Sequence, residues 1–270
     1  MTFLERVRGR REDETRWHFD LAEEFNGGFG GTNGGLLAAL CVHAARGLAP
    51  DRLVCGVDAR FLRSFRPGPA TVVAEALGGG RTLTTVRVSL CDAEGRLSTA
   101  GTVSLVAPEA LAAIDVPAAS SAGADLADPS EGKPWRQPRG HRPIPLIETF
   151  APVSLGRSAG AIATASTMVW DDPTASAEAA CVAADISVGP PVAAMLKGRP
   201  LAIPNPDLSL RFTGRRAEGR QLVSFCRLVG IAGGLATTAM EVFCRETLIA
   251  TGISTTTCLD IPAATSGSAA

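Results

Sequence analysis

Asp185 is the only carboxylate in the long apolar stretch from Ala179 to Leu196. A carboxyl group taken out of water resists ionisation, so its pKa rises and it becomes a better proton acceptor. A second concentration of unusual residues, Gly27 to Gly35 (GGFGGTNGG), runs directly into an apolar, helix-like segment. It holds no Gly-x-Gly-x-x-Gly in frame and no Gly-Lys-Ser/Thr ending, so dinucleotide and P-loop readings fail. A mobile loop feeding a helix start accounts for it. The first amides of a helix lack an intrahelical acceptor and carry partial positive charge. Gly34 has no side chain to block approach, so its amide is a candidate oxyanion donor, with Gly35 and Asn33 beside it as candidate substrate-binding residues. His43 lies in an apolar segment and reads as a packed core histidine. The three histidines (His18, His43, His141) and seven cysteines include no Cys-x-x-Cys pair. No metal site and no cofactor are therefore expected. The cysteines read as small buried hydrophobes in a reducing compartment, hence a cytoplasmic location.

The remaining composition narrows the class of partner. The chain has 270 residues, 46% hydrophobic and 20% charged, with a net charge of −1. That balance offers no basic surface to nucleic acid or an anionic membrane. No apolar run is read as long enough to span a membrane, and Met1 to Trp17 lacks the apolar core of a signal peptide. A Gly-x-Ser-x-Gly elbow is also missing, which argues against an α/β-hydrolase.

The elements that would position Asp185 and Gly34 occur twice. Val116 to Arg142 has linker composition, rich in small residues, prolines and charges. It predicts an N-terminal unit over 1–115, a linker over 116–142 and a C-terminal unit over 143–270. Each unit begins with strand-like material (Arg16–Glu24, Ala159–Trp170) and continues with a buried helix (Gly34–Arg46, Ala175–Lys197). Pro190 and Pro191 are expected to break or restart the second helix. Four strands follow in each unit: Leu53–Phe65, Ala70–Gly78, Leu83–Cys91 and Leu97–Val106, then Pro206–Phe212, Gln221–Val229, Ala236–Cys244 and Leu248–Cys258. At an offset of 151, Arg60-Phe61 falls on Arg211-Phe212, Gly68 on Gly219, Gly79 on Gly230 and Gly101 on Gly252. The glycines are read as turns used twice. The same offset places Asp185 on Gly34, Asn205 on Val54 and Ser254 on Val103, so one acid site per chain is expected.

A strand, a buried small-residue helix and several long antiparallel strands make the α+β hotdog pattern, here a tandem double hotdog. Gly34-Gly35-Leu36-Leu37, Phe61-Leu62-Arg63 and Arg66-Pro67-Gly68 resemble the first half of acyl-CoA thioesterase II proteins. Ala183-Ala184-Asp185, Pro206 to Phe212 and Ile249 to Ser254 resemble their second half. The resemblance implies hydrolysis of acyl-CoA or acyl-carrier-protein thioesters by an Asp, Thr and Gln triad. Asp185 matches the Asp; Asn205 stands in the Thr position and Ser254 in the Gln position. Both departures keep hydrogen-bonding side chains that could hold a water. The resemblance also implies a homodimer or higher homo-oligomer.

Each residue has a purely structural alternative. Asp185 can cap a helix or face solvent, Asn205 can serve a turn between two prolines, and Ser254 can be an ordinary strand residue. Asp207, two residues on, can simply face solvent. The departures at Asn205 and Ser254 keep a catalytically silent acyl-thioester binding protein open. A hotdog hydratase or dehydratase would want a histidine shortly after Asp185, and none follows.

Overall fold

The computed structural model describes residues 1–114, 128–137, 142–158 and 161–261. The first half contributes α1 (Phe3–Arg6), β1 (Arg10–Arg11), β2 (Arg16–Leu21), α2 (Gly34–Leu48), β3 (Leu53–Phe61), β4 (Gly68–Gly79), β5 (Leu83–Cys91) and β6 (Leu97–Val106). The second contributes β7 (Lys133–Pro134), α3 (Pro145–Phe150), β8 (Val153–Ser158), β9 (Ala161–Thr167), α4 (Ser176–Leu196), β10 (Leu201–Ala202), β11 (Asp207–Phe212), β12 (Gln221–Ala232), β13 (Leu235–Cys244), β14 (Thr247–Thr257) and β15 (Leu259–Asp260).

Thirteen strands join in one antiparallel sheet, in the order β1-β2-β4-β5-β6-β3-β11-β14-β13-β12-β9-β8-β7. Read outward from the β3–β11 joint, the two sides repeat one order: β3, β6, β5, β4, β2 against β11, β14, β13, β12, β9. This is a tandem double hotdog. Strand alternation follows from one-sided burial: Val86, Val88 and Leu90 of β5 are buried, while Arg87 between them is exposed. The helices α2 and α4 lie against the inner face and against each other. A helix enclosed by a sheet and a second helix meets no water on most of its circumference, so neither has a polar face. Leu36, Leu37 and Leu40 of α2 are fully or almost fully buried, each contributing about 1.5–3 kcal/mol by removal from water.

The glycine repeat has two different physical causes. Gly68 and Gly219 hold φ of +133° and +136°, so the same positive-φ turn does recur. Gly101 and Gly252 are mid-strand, not turns. A Cβ at Gly101 would lie 2.5 Å from the Asp58 carbonyl oxygen, and one at Gly252 would lie 2.2 Å from that of Ser209. Both glycines let β6 and β14 close on the strands that form the joint.

Three expectations are corrected. First, α4 runs unbroken through Pro190 and Pro191. Gly189 ahead of the pair carries no Cβ to collide with the Pro190 ring, and the prolines fall near the helix end, where few bonds remain to lose. Second, with the turn before it, Pro173–Leu196 is 24 residues long and holds an 18-residue window with a mean hydropathy of 1.6, long and apolar enough to cross a membrane. Enclosure by the sheet demands that composition here. Third, the 151 offset holds for the four strands after each helix and fails for the helices and the strand ahead of them. α2 begins at Gly34 and α4 at Ser176, so Asp185 sits nine residues into its helix, as His43 does. The longer α4 and the segment before β11 absorb the difference. Of the expected linker, 116–127 and 138–141, which include His141, lie outside the described residues. Lys133 and Pro134 pair with β8 at the sheet edge.

Candidate active site

The helices run antiparallel and touch where α2 begins. A Cβ on Gly35 would stand 2.3 Å from the Cys181 carbonyl oxygen and 2.7 Å from Asp185 Cβ. Only a residue without a side chain permits that approach. It brings the first turn of α2 onto the middle of α4, and so brings Asn33, Gly34 and Gly35 to Asp185. Gly34 lies beneath the Phe61 ring, whose nearest atom would be 2.6 Å from an added Cβ.

Asp185 is half-buried and richly supplied with donors. Asn33 Nδ2 donates to Oδ2 at 2.6 Å and Asn205 Nδ2 donates to Oδ1 at 2.6 Å. The backbone amides of Gly34 and Gly35 at the start of α2 lie near the carboxylate and favour its charged form. Burial is the largest influence and pushes the Asp185 pKa above the ordinary carboxylate value, against the opposing pull of Asn205, Gly35, Gly34 and Asn33. Asn33 is also the N-cap of α2, its Oδ1 accepting from the Leu36 amide at 3.0 Å. With Oδ1 committed to the cap, Nδ2 is committed to Asp185, so both ends of the amide are fixed.

Asn205 and Ser254 take different places. Asn205 touches Asp185 directly, from between Pro204 and Pro206. Ser254 does not bond Asp185: its Oγ donates to the Asp207 carbonyl at 2.7 Å, in a buried position. Asp207, read as facing solvent, is tied inward. Its Oδ1 accepts from the Thr255 amide at 2.6 Å, and Oδ2 lies 3.6 Å from Arg60 Nη1. Ser254 and Asp207 therefore fix the β11–β14 pairing at the end of β11 next to Asn205. The loop before Gly34 is pinned, not open: Gly27 donates to the Gly31 carbonyl, Thr32 to Phe65 and Asn33 to Phe25, at 2.8–2.9 Å.

Composition gave no signal for a second polar cluster at the other helix start. Glu178 of α4 is fully buried, with Oε1 2.8 Å from Arg46 Nη2 and 3.4 Å from His43 Nδ1. His43 packs among the rings of Phe3, Trp17 and Phe19. The thiols Cys41, Cys181, Cys226 and Cys244 are buried and free; burial pushes Cys41 up to about 12.

Residues 21–107 match the family model of the acyl-CoA thioesterase N-terminal domain. The resemblance to acyl-CoA thioesterases is borne out. No curated protein matches the sequence. Among solved structures, a hotdog-fold protein of Alicyclobacillus acidocaldarius superposes with a TM-score of 0.75 at 18% identity, over 94% of this chain and 96% of that one. Acyl-CoA thioesterase II of Mycobacterium marinum superposes with a TM-score of 0.70 at 19% identity, over 96% of this chain and 98% of that one. The tesB protein of Mycobacterium avium subs. paratuberculosis gives a TM-score of 0.67 at 19% identity, over 95% of this chain and 98% of that one. At these identities the superpositions establish the double-hotdog fold of this chain.

Proposed function

We propose that the chain hydrolyses acyl-CoA or acyl-carrier-protein thioesters, with Asp185 as general base. One observation carries this reading: a desolvated carboxylate held across the two halves by a helix start and two asparagines. The matched thioesterase domain model supports the substrate class. Asn33 and Asn205 each occupy one acceptor site of the carboxylate, beside the Gly34 and Gly35 amides. When the thioester carbonyl enters, it takes the Gly34 amide, with Gly35 and Asn33 bordering it, and frees one acceptor site on Asp185. A water held by Asn205 donates its proton there while its oxygen attacks the carbonyl carbon. The tetrahedral oxyanion is held by the Gly34 amide. Collapse breaks the C–S bond, and the thiolate takes the proton back from Asp185. Ser254 supports Asn205 through the β11–β14 pairing.

The test is hydrolysis of an acyl-CoA panel from short to long chain, read by chromatographic separation of free coenzyme A. Turnover is expected on some member and should fall at least about 100-fold in Asp185→Asn, the contribution typical of a general base. Unchanged activity in that variant would remove Asp185 from the role. Binding without turnover across the panel would leave the silent acyl-thioester binder. We also infer a cytoplasmic homo-oligomer, for which light scattering should give at least twice the chain mass; a monomer would overturn it.

A further inference from the structure

The repeat gives α4 a start built like that of α2. Each helix start packs against the residue nine positions into the other helix, Gly34 against Asp185 and Ser176 near His43. The chemistry at the second place is different. A cavity of about 490 Å³ opens there, bordered by Trp17, His43, Arg46, Arg52, Arg215 and Arg216. Where the first place centres on a carboxylate, this one presents cations to the opening. Arg46 is balanced by buried Glu178 and also donates to the Thr174 carbonyl. Arg52 is held by the carbonyls of Gly80 and Thr82, at 2.8 and 3.2 Å, which leave its charge uncompensated. Arg216 is exposed and meets no carboxylate among the described residues. The Trp17 side chain is 7% exposed, and its Nε1 has no acceptor. The indole body forms part of the apolar wall of the cavity, while its N–H is closed off from the opening. Two polar oxygens at the rim are already engaged: Ser176 Oγ accepts from the Ala217 amide and Thr174 Oγ1 donates to Asp172.

We propose that this cavity binds a phosphate-bearing small molecule, its phosphate held by Arg52 and Arg216 and its body lying against the apolar wall that includes Trp17. Planar guanidinium groups suit phosphate oxygens, and the apolar lining suits an uncharged body. The site is separate from Asp185 and does not rest on the hydrolase reading.

The test is calorimetric titration of the full chain at fixed ionic strength with inorganic phosphate, pyrophosphate, ADP and coenzyme A, with adenosine as the phosphate-free control. At least one phosphate compound is expected to bind while adenosine does not. The double charge reversal R52E/R216E should weaken that binding at least tenfold, and Asp185→Asn should leave it unchanged. Arg216→Glu alone, at an exposed position, should weaken it in part; an unchanged circular dichroism spectrum establishes that each variant is folded. Failure of all four probes overturns the proposal. So does binding that survives charge reversal, or binding that is lost in Asp185→Asn, which would place the ligand at the first site.

Discussion

Asp185 has two opposing influences on one proton, and both are open to substitution. Burial raises its pKa, and four donors lower it. Removing a donor must therefore raise the pKa further. In Asn33→Ala the acid limb of the activity profile is expected to move to higher pH, as a pH–kcat/KM series would show. The same change deletes the α2 cap, with a stability loss of about 1 kcal/mol expected from urea unfolding. The linkage has a definite sign. A carboxyl whose folded pKa exceeds its unfolded pKa binds more protons when folded, between those two values. Its stabilising effect is complete below the unfolded pKa, about 4, and is lost as pH rises through the folded one. Urea midpoints of the wild type should fall across that window relative to Asp185→Asn, and parallel curves would contradict the raised pKa. Asp185 was legible in the sequence because it is a lone acid among apolar residues. Its bond to Asn33 was not, because the two are separated by 152 positions and only folding brings them together.

At the scale of elements, the contact between α2 and α4 depends on Gly35. A methyl group there meets backbone of Cys181 and Val182 as well as Asp185 Cβ, within 2.3–2.8 Å. Backbone cannot rotate aside as a long side chain can, so the helices must separate. Gly35→Ala is expected to cost about 1–3 kcal/mol and to lower turnover together with stability, because the donors at the start of α2 withdraw from Asp185. Leu40→Ala, buried further along α2, is expected to cost about 2–5 kcal/mol in chemical denaturation while the site geometry persists. The pattern of apolar residues made both helices legible as buried. The passage of α4 through Pro190 and Pro191 was not, because the local rule for proline takes no account of Gly189 ahead of it or the nearby helix end.

At the scale of the molecule, the halves are continuous. β3 and β11 pair from Asp207 with Arg60 to Arg211 with Gly56. Phe3 of the first half meets the Trp170 ring of the second edge-on at 5.0 Å. With one sheet and a main core that both halves share, the halves are expected to unfold together. Urea denaturation followed by tryptophan fluorescence, with Trp17 and Trp170 replaced by Phe in turn, is expected to give one coincident transition. Two separated transitions would show independent halves.

By itself the sequence determined the repeated order of elements, the buried character of both helices, the recurring positive-φ turn at Gly68 and Gly219, and Asp185 as a lone carboxylate among apolar residues. These follow from local periodicity, from glycine's freedom at φ of +133° and +136°, and from one charge among apolar neighbours. The tertiary structure alone decided that Asn33 and Asn205 hold Asp185, that Ser254 and Asp207 brace the strands behind it, and that His43 is the true counterpart of Asp185. Those relations depend on antiparallel helices meeting at Gly35 and on strands paired across the joint. Contacts of that kind carry no periodic trace along a single chain, and a fixed offset between halves misplaces them once one helix is longer than the other.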